Sequence, residues 1–217
     1  MNPRRWRRNV INAVLIAAAL AAGYVISDLD RPLEAWSFAT AYVGLGVLAV
    51  TLCLGPLNVL RDAPNPVSTH VRRDLGVWGA LLGVTHTLLG LEVHKGGQLA
   101  GYFLLSRSER GLNTATAFIV TNYMGALAIV VLLLLLTLSN DYSLRRLGTR
   151  RWKQLQRWSY AVLVLVALHG AIYQVLEKRA LEAVLLLAML IGIVVYFQIR
   201  GFSLRQRRLP VGGPPRP

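Results

Sequence analysis

Residues 75–94 read LGVWGALLGVTHTLLGLEVH, and residues 158–176 read WSYAVLVLVALHGAIYQVL. Each stretch is close to the ~20 predominantly apolar residues that an α-helix needs to cross the hydrocarbon of a bilayer. Each also carries one histidine in its interior, His86 and His169. An ionisable side chain at that depth is costly, so it is kept where it has a partner and a function. The two runs therefore settle the fold class, and their histidines single out a site.

Working outward, four further runs have the same character. With these two they place membrane spans at about 10–26, 37–54, 75–94, 116–138, 156–176 and 181–199. The chain has 217 residues, 54% of them hydrophobic, with a mean hydropathy of +0.47, which points away from a soluble domain. Backbone polar groups must be satisfied internally in lipid, so the spans are expected to be helices. The expected fold is an all-α integral membrane protein, a six-transmembrane-helix bundle. Residues 1–9 form a basic N-terminus, 10–199 the six-helix domain, and 200–217 a basic tail containing Pro and Gly, with Arg205 to Pro217 expected to be disordered.

The formal net charge is +14, from 24 Lys and Arg against 10 Asp and Glu. Such a balance can signal nucleic-acid binding, but the placement of the charges argues against it. Eighteen of the 24 cations fall in residues 4–8, 61–73, 145–157 and 200–216, all on one side of the six-span topology. By the positive-inside rule that side is the cytoplasm, which places both termini there. The same cations attract anionic lipid headgroups. A basic start followed by an Ala-rich apolar run also fits a secretory signal peptide cut near Ala22. The six-span count, which puts every basic segment on one side, favours an uncleaved anchor.

A single cysteine, Cys53, lies within the second span, where a small apolar packing residue is expected. No C-x-x-C-H motif occurs, so any heme is b-type, and no glycine-rich nucleotide motif is present. The connection from Gly96 to Asn113 holds an apolar patch, Tyr102 to Leu105, suited to the membrane surface or a partner.

Of the four histidines, His70 is expected in the solvated loop before the third span and His94 at the interface ending it. His86 and His169 differ from both in depth. From Asp74 to His86 and from Arg157 to His169 the separation is 12 residues in each case. At 1.5 Å per residue, each imidazole is roughly 18 Å from the last charge on the basic side. Equal depth on two helices running the same way is what bis-histidine ligation of a heme requires. Gly76, Gly79, Gly83 and Gly90 lie within about 80° on a helical wheel, on the side of His86. Such a strip lets a flat ring approach the backbone, although the Gly79-x-x-x-Gly83 pair also suits plain helix packing. Leu165, Val166, Ile172 and Tyr173 supply a bulkier face around His169. The polar residues Thr85, Thr87 and Asn122 are candidates for orienting an imidazole or a propionate. The alternative for both histidines is a helix–helix hydrogen bond.

Two blocks carry a family resemblance. One is Gly55-Pro56-Leu57, then Arg72-Arg73-Asp74-Leu75-Gly76, then His86; the other runs from Arg145-Arg146-Leu147-Gly148 through Arg151–Tyr160 to His169. Over about residues 40–176 the chain resembles ferric reductase-like transmembrane domains, and within them the heme-binding membrane subunits of methionine sulfoxide reductase systems. The resemblance implies a six-helix cytochrome b, with a heme held by His86 and His169 between the third and fifth spans and Gly79, Gly83 and Gly90 lining its site. It implies electron flow from quinol or a cytoplasmic flavoprotein to a redox partner outside. Diheme members of this superfamily, the NADPH oxidases among them, carry a second histidine about 13 or 14 residues before each ligand. Here those positions hold Arg72 or Arg73 and Gln156, neither an ordinary axial ligand. One heme is therefore expected, with a flavin such as FMN, or a quinone, as the possible inner electron source. The basic segment 145–157 is a candidate dock for a flavin phosphate, or simply an orientation signal.

The expected function is that of an electron-transfer subunit of an oxidoreductase with no substrate site of its own. Competing readings are a noncatalytic membrane scaffold with structural histidines, a heme-based redox sensor, and a transporter using the histidines as a proton relay. The last expects broken spans with paired ionisable groups, which the sequence lacks.

Overall fold

A computed structural model describes residues 3–26, 31–63, 69–104 and 112–207. All the regular structure among them is helical: α1 (Pro3–Ile26), α2 (Pro32–Leu60), α3 (Thr69–Lys95), α4 (Leu99–Phe103), α5 (Leu112–Thr137), α6 (Asp141–Gln156), α7 (Trp158–Leu176) and α8 (Leu181–Arg207). Among the described residues, six helical segments are long and apolar enough to cross a membrane, with α6 and α7 forming one continuous stretch. They carry α1, α2, α3, α5, α7 and α8 as the spans. Large apolar side chains such as Val130, Leu134, Val164, Leu185 and Ile199 face outward, as a bundle solvated by acyl chains demands.

Helix ends differ from the sequence expectation where the apolar run is a poor guide to the backbone. Proline at the first position starts α2 at Pro32, and the helix continues through Pro56 to Leu60. The first turn of α3 already contains His70, so its backbone is helical rather than loop; the side chains of His70 and His94 lie outside the described residues. At the other end, α8 runs past 199 to Arg207, so Arg205 belongs to its last turn and not to a disordered tail; residues 208–217 lie outside the described residues. The patch at 102–105 is built as the short helix α4 followed by Leu104, with Leu105 outside the described residues.

The central helix is α2, packed against α1, α3 and α8, while α5 packs against α7. One apolar core joins Leu45, Ala49, Leu52 and Cys53 of α2 with Leu163 of α7 and Leu187 and Val194 of α8. A second joins Val47 of α2 to Leu75 and Leu82 of α3. The interior proline has a visible compensation. Pro56 has no N–H to give the carbonyl of Leu52, and the side-chain Nε2 of Gln198 donates to that carbonyl at 2.9 Å. Gly201, one turn along α8, lets the two helices close on the ring: a Cβ there would stand 2.9 Å from Pro56 Cβ.

On the basic face, Asn140 caps α6, its side chain accepting from Ser143 N–H at 2.7 Å. Gly148 breaks the helical course of α6 with φ 71° and ψ 157°, and Trp152 is buried and donates to Leu138 O at 2.8 Å. Arg73 pairs with Asp141, and Arg7 with Asp74 at 3.9 Å, tying α3 to its neighbours at this end.

Candidate functional site

His86 on α3 and His169 on α7 face one another across the bundle, their ring centroids 6.4 Å apart and their planes at 82°. The equal depth counted from the sequence is thus a direct juxtaposition. Each ring is held by its Nδ1. In His86 that atom meets the backbone O of Ser37 at 2.9 Å and the Ser37 Oγ at 3.2 Å. In His169 it meets the backbone O of Thr121 at 2.9 Å. A carbonyl only accepts, so Nδ1 is the donor in both rings. Metal-binding histidines are held in this way, with the second nitrogen donating to a backbone carbonyl or carboxylate.

The separation admits a metal centre. With metal–imidazole bonds of about 2 Å and just over 1 Å from ring nitrogen to ring centre, two ligands on opposite sides of one ion put their centroids about 6.3 Å apart. Among the described residues, no three His, Cys, Asp or Glu side chains group as they would for a bare metal ion. Two imidazoles leave four positions of an octahedral ion unfilled, which is the donor set a porphyrin completes.

Both rings line a cavity of about 830 Å³ that runs the length of the bundle, from Glu34 and Arg179 at one end to Gln156 and Arg205 at the basic end. Gly76, Gly79, Gly83 and Gly90 all line it. Their open faces also serve packing: a Cβ on Gly83 would meet Leu132 at 3.2 Å, and one on Gly79 would meet Val47 at 3.7 Å. The bulky face expected around His169 is represented by Val166 and Tyr173.

Sequence reasoning missed three residues of this site. Ser37 was hidden because its contact with His86 spans 49 positions. Thr121 acts through a backbone carbonyl that any residue would supply. Gly125 on α5 has the His169 ring against it: a Cβ would stand 2.9 Å from Cε1 and Nδ1. A glycine three residues after a buried asparagine in an apolar span was the only available signal. Of the polar candidates, Thr85 and Thr87 bond back to Leu81 O and Gly83 O within α3 and orient no imidazole. Asn122 lines the same cavity and meets neither imidazole directly, accepting from Tyr173 Oη at 2.6 Å and donating to Tyr102 O at 2.8 Å.

The two ends of the cavity differ in chemistry. At the end near α4, Arg179 bonds Glu34 at 2.8 Å, pairs with Glu177, and stacks over Phe38 at 4.1 Å. Burial pushes the phenol of Tyr102 above its ordinary pKa, with the carboxylate of Glu177 adding to the rise, so Tyr102 stays neutral at physiological pH. At the basic end the walls include Arg72, Arg73, Lys153, Arg157 and Arg205. There the side-chain Nε2 of Gln156 is buried with no hydrogen-bond partner among the described residues.

Six apolar helices around an imidazole-lined cavity define a multi-pass integral membrane protein, and comparison with known proteins narrows the class. Residues 40–167 match the family described as ferric reductase like transmembrane component. The chain belongs to that family. Among curated proteins it is 30% identical over 186 residues to the heme-binding subunit MsrQ of the protein-methionine-sulfoxide reductase of Ralstonia nicotianae, a match covering 82% of this chain and 79% of that protein.

Proposed function

We propose that this chain is a membrane cytochrome b, in which His86 and His169 are the axial ligands of one heme held between α3 and α7, the third and fifth spans. The observation that carries the reading is the pair of imidazoles 6.4 Å apart, each with Nδ1 bonded to a backbone carbonyl. The family membership and the heme-binding relative agree with it. When bound, the heme supplies one-electron redox chemistry. The chain supplies two imidazoles hydrogen-bonded at Nδ1, an apolar pocket that sets the potential, and the glycine surfaces of Gly79, Gly83 and Gly90 along the cavity.

Electrons enter at the basic, cytoplasmic end and leave at the end bearing α4. The orientation rests on the clustering of cations on the face shared by both termini. At the basic end Arg72, Arg73 and Gln156 occupy the positions where a second histidine pair would stand, and none of them is an ordinary axial ligand. The side-chain N–H of Gln156, beside several cations in the inner half of the cavity, suits a donor with an accepting oxygen, such as a quinol hydroxyl or a ring carbonyl of a docked flavin. At the opposite face the acceptor is a separate redox protein, as in a reductase with a dedicated heme subunit.

Purification in detergent, with oxidised and dithionite-reduced spectra and heme quantified per chain, tests the proposal directly. About one b-type heme per wild-type chain, lost in both His86→Ala and His169→Ala, is the expected result. A wild-type protein that stays colourless after heme reconstitution overturns it in favour of a scaffold.

A further inference from the structure

One face of α5 meets one face of α7 in a way the ligand pair alone does not require. Thr121, Asn122 and Gly125 of α5 contact His169 and Tyr173 of α7, two residues one helical turn apart. Thr121 O takes the Nδ1 proton of His169. The bare backbone of Gly125 receives the edge of the same ring. Tyr173 packs on that ring at 4.9 Å between centroids, and its hydroxyl donates to Asn122 Oδ1 at 2.6 Å. Asn122, itself only 7% exposed, uses its other atom on the backbone O of Tyr102.

The hydrogen bond at Nδ1 fixes one point of the imidazole and does not by itself set the plane of the ring. A packed aromatic ring and a close backbone set that plane. Resting on the proposed heme ligation, we infer that Asn122 and Tyr173 are positioning residues that, with Gly125, lock the plane of His169 nearly perpendicular to that of His86. Ser37 performs the corresponding task for His86 with its Oγ and its carbonyl. Outer partners orient ligands and tune the metal in this way.

The angle has an electronic consequence. An imidazole donates π density into the iron d orbital that lies normal to its ring plane. Two parallel rings load the same orbital and split the dπ pair, giving a rhombic low-spin ferric signal with three resolved g values. Two perpendicular rings load both orbitals equally, leave them nearly degenerate, and give a highly anisotropic signal dominated by one large g value. The 82° angle selects the second form.

The test is low-temperature electron paramagnetic resonance of the ferric, heme-loaded full chain, for wild type, Tyr173→Phe and Asn122→Leu, with heme per chain measured on the same samples. The expected result is the highly anisotropic signal in wild type. In both variants the signal of the bound heme, normalised to heme content, moves toward the rhombic form or broadens into a mixture. Tyr173→Phe keeps the ring and removes only the hydroxyl, so it decides the matter where Asn122→Leu fails to fold. A rhombic signal in wild type, or a signal unmoved in Tyr173→Phe, overturns the inference while leaving the cytochrome reading intact. A wild type without heme removes both together.

Discussion

The sharpest single perturbation of the site is Gly125→Ala. A methyl group built there lies 2.9 Å from Cε1 and Nδ1 of His169, whereas carbon atoms pack at about 3.5–4.0 Å. The ring must therefore retreat by about 0.6–1 Å, or α5 and α7 must part by as much. A ligand constellation tolerates about 0.5 Å of error before its function suffers. Overpacking of this kind typically costs about 1–3 kcal/mol, which corresponds to roughly a 5- to 150-fold loss of heme affinity if all of it falls on the bound state. The assay is titration of the heme-depleted protein with hemin, followed by absorbance. Gly46→Ala is the control, because nothing lies within 4 Å of its Cβ position. Both changes gain about 1 kcal/mol of helix propensity, so the comparison cancels that term, and thermal unfolding of the two heme-free variants reports any general damage. Equal heme affinity in the two variants would refute the argument that His169 rests against Gly125.

Other outcomes follow from the same geometry. Gln198→Leu strips the Leu52 carbonyl of its partner beside Pro56; it should lower stability by about 1–3 kcal/mol, visible as a lower unfolding midpoint in detergent with heme content preserved. Gly201→Ala drives a methyl group against Pro56, with its Cα at 3.0 Å, and a backbone atom cannot swing aside; a loss of about 1–3 kcal/mol is expected, and a midpoint equal to wild type would show the α2–α8 contact to be looser than described. Ser37→Ala removes the Oγ contact and keeps the 2.9 Å carbonyl bond to His86; heme content should hold, in contrast to its loss in His86→Ala. For orientation, a membrane-impermeant maleimide should label Lys178→Cys in intact cells and Arg146→Cys only after permeabilisation, the native Cys53 being buried; the reverse pattern would invert the topology.

Much of this protein was legible without coordinates, because a bilayer imposes its demands locally. Six apolar runs of spanning length, cations gathered on one side, and two histidines each 12 residues from the last charge are one-dimensional facts. Lipid turns the apolar runs directly into helices and the histidine spacing into depth, while the cation asymmetry states an orientation for the labelling experiment to test. Helix periodicity also placed the α3 glycines on the side of His86, and they do line its cavity. Hydropathy was a poorer guide to where helices end, since α2 crosses Pro56 and α8 continues through polar residues to Arg207. Helical hydrogen bonds persist into the interface as long as the backbone can make them.

Only the tertiary structure decided how the imidazoles are held. The bonds from His86 to Ser37 and from His169 to Thr121 O join residues 49 and 48 positions apart. Neither Thr121 nor Gly125 advertises its role through side-chain chemistry: one offers a carbonyl that every residue has, the other offers the absence of a Cβ. The same holds for Gln198, whose importance depends on a proline in another helix. Membrane insertion is a property of each segment by itself, and so it can be read from composition. The tilt, spacing and hydrogen bonding of the two imidazoles are properties of how segments pack, and they arise only when α2, α3, α5 and α7 come together.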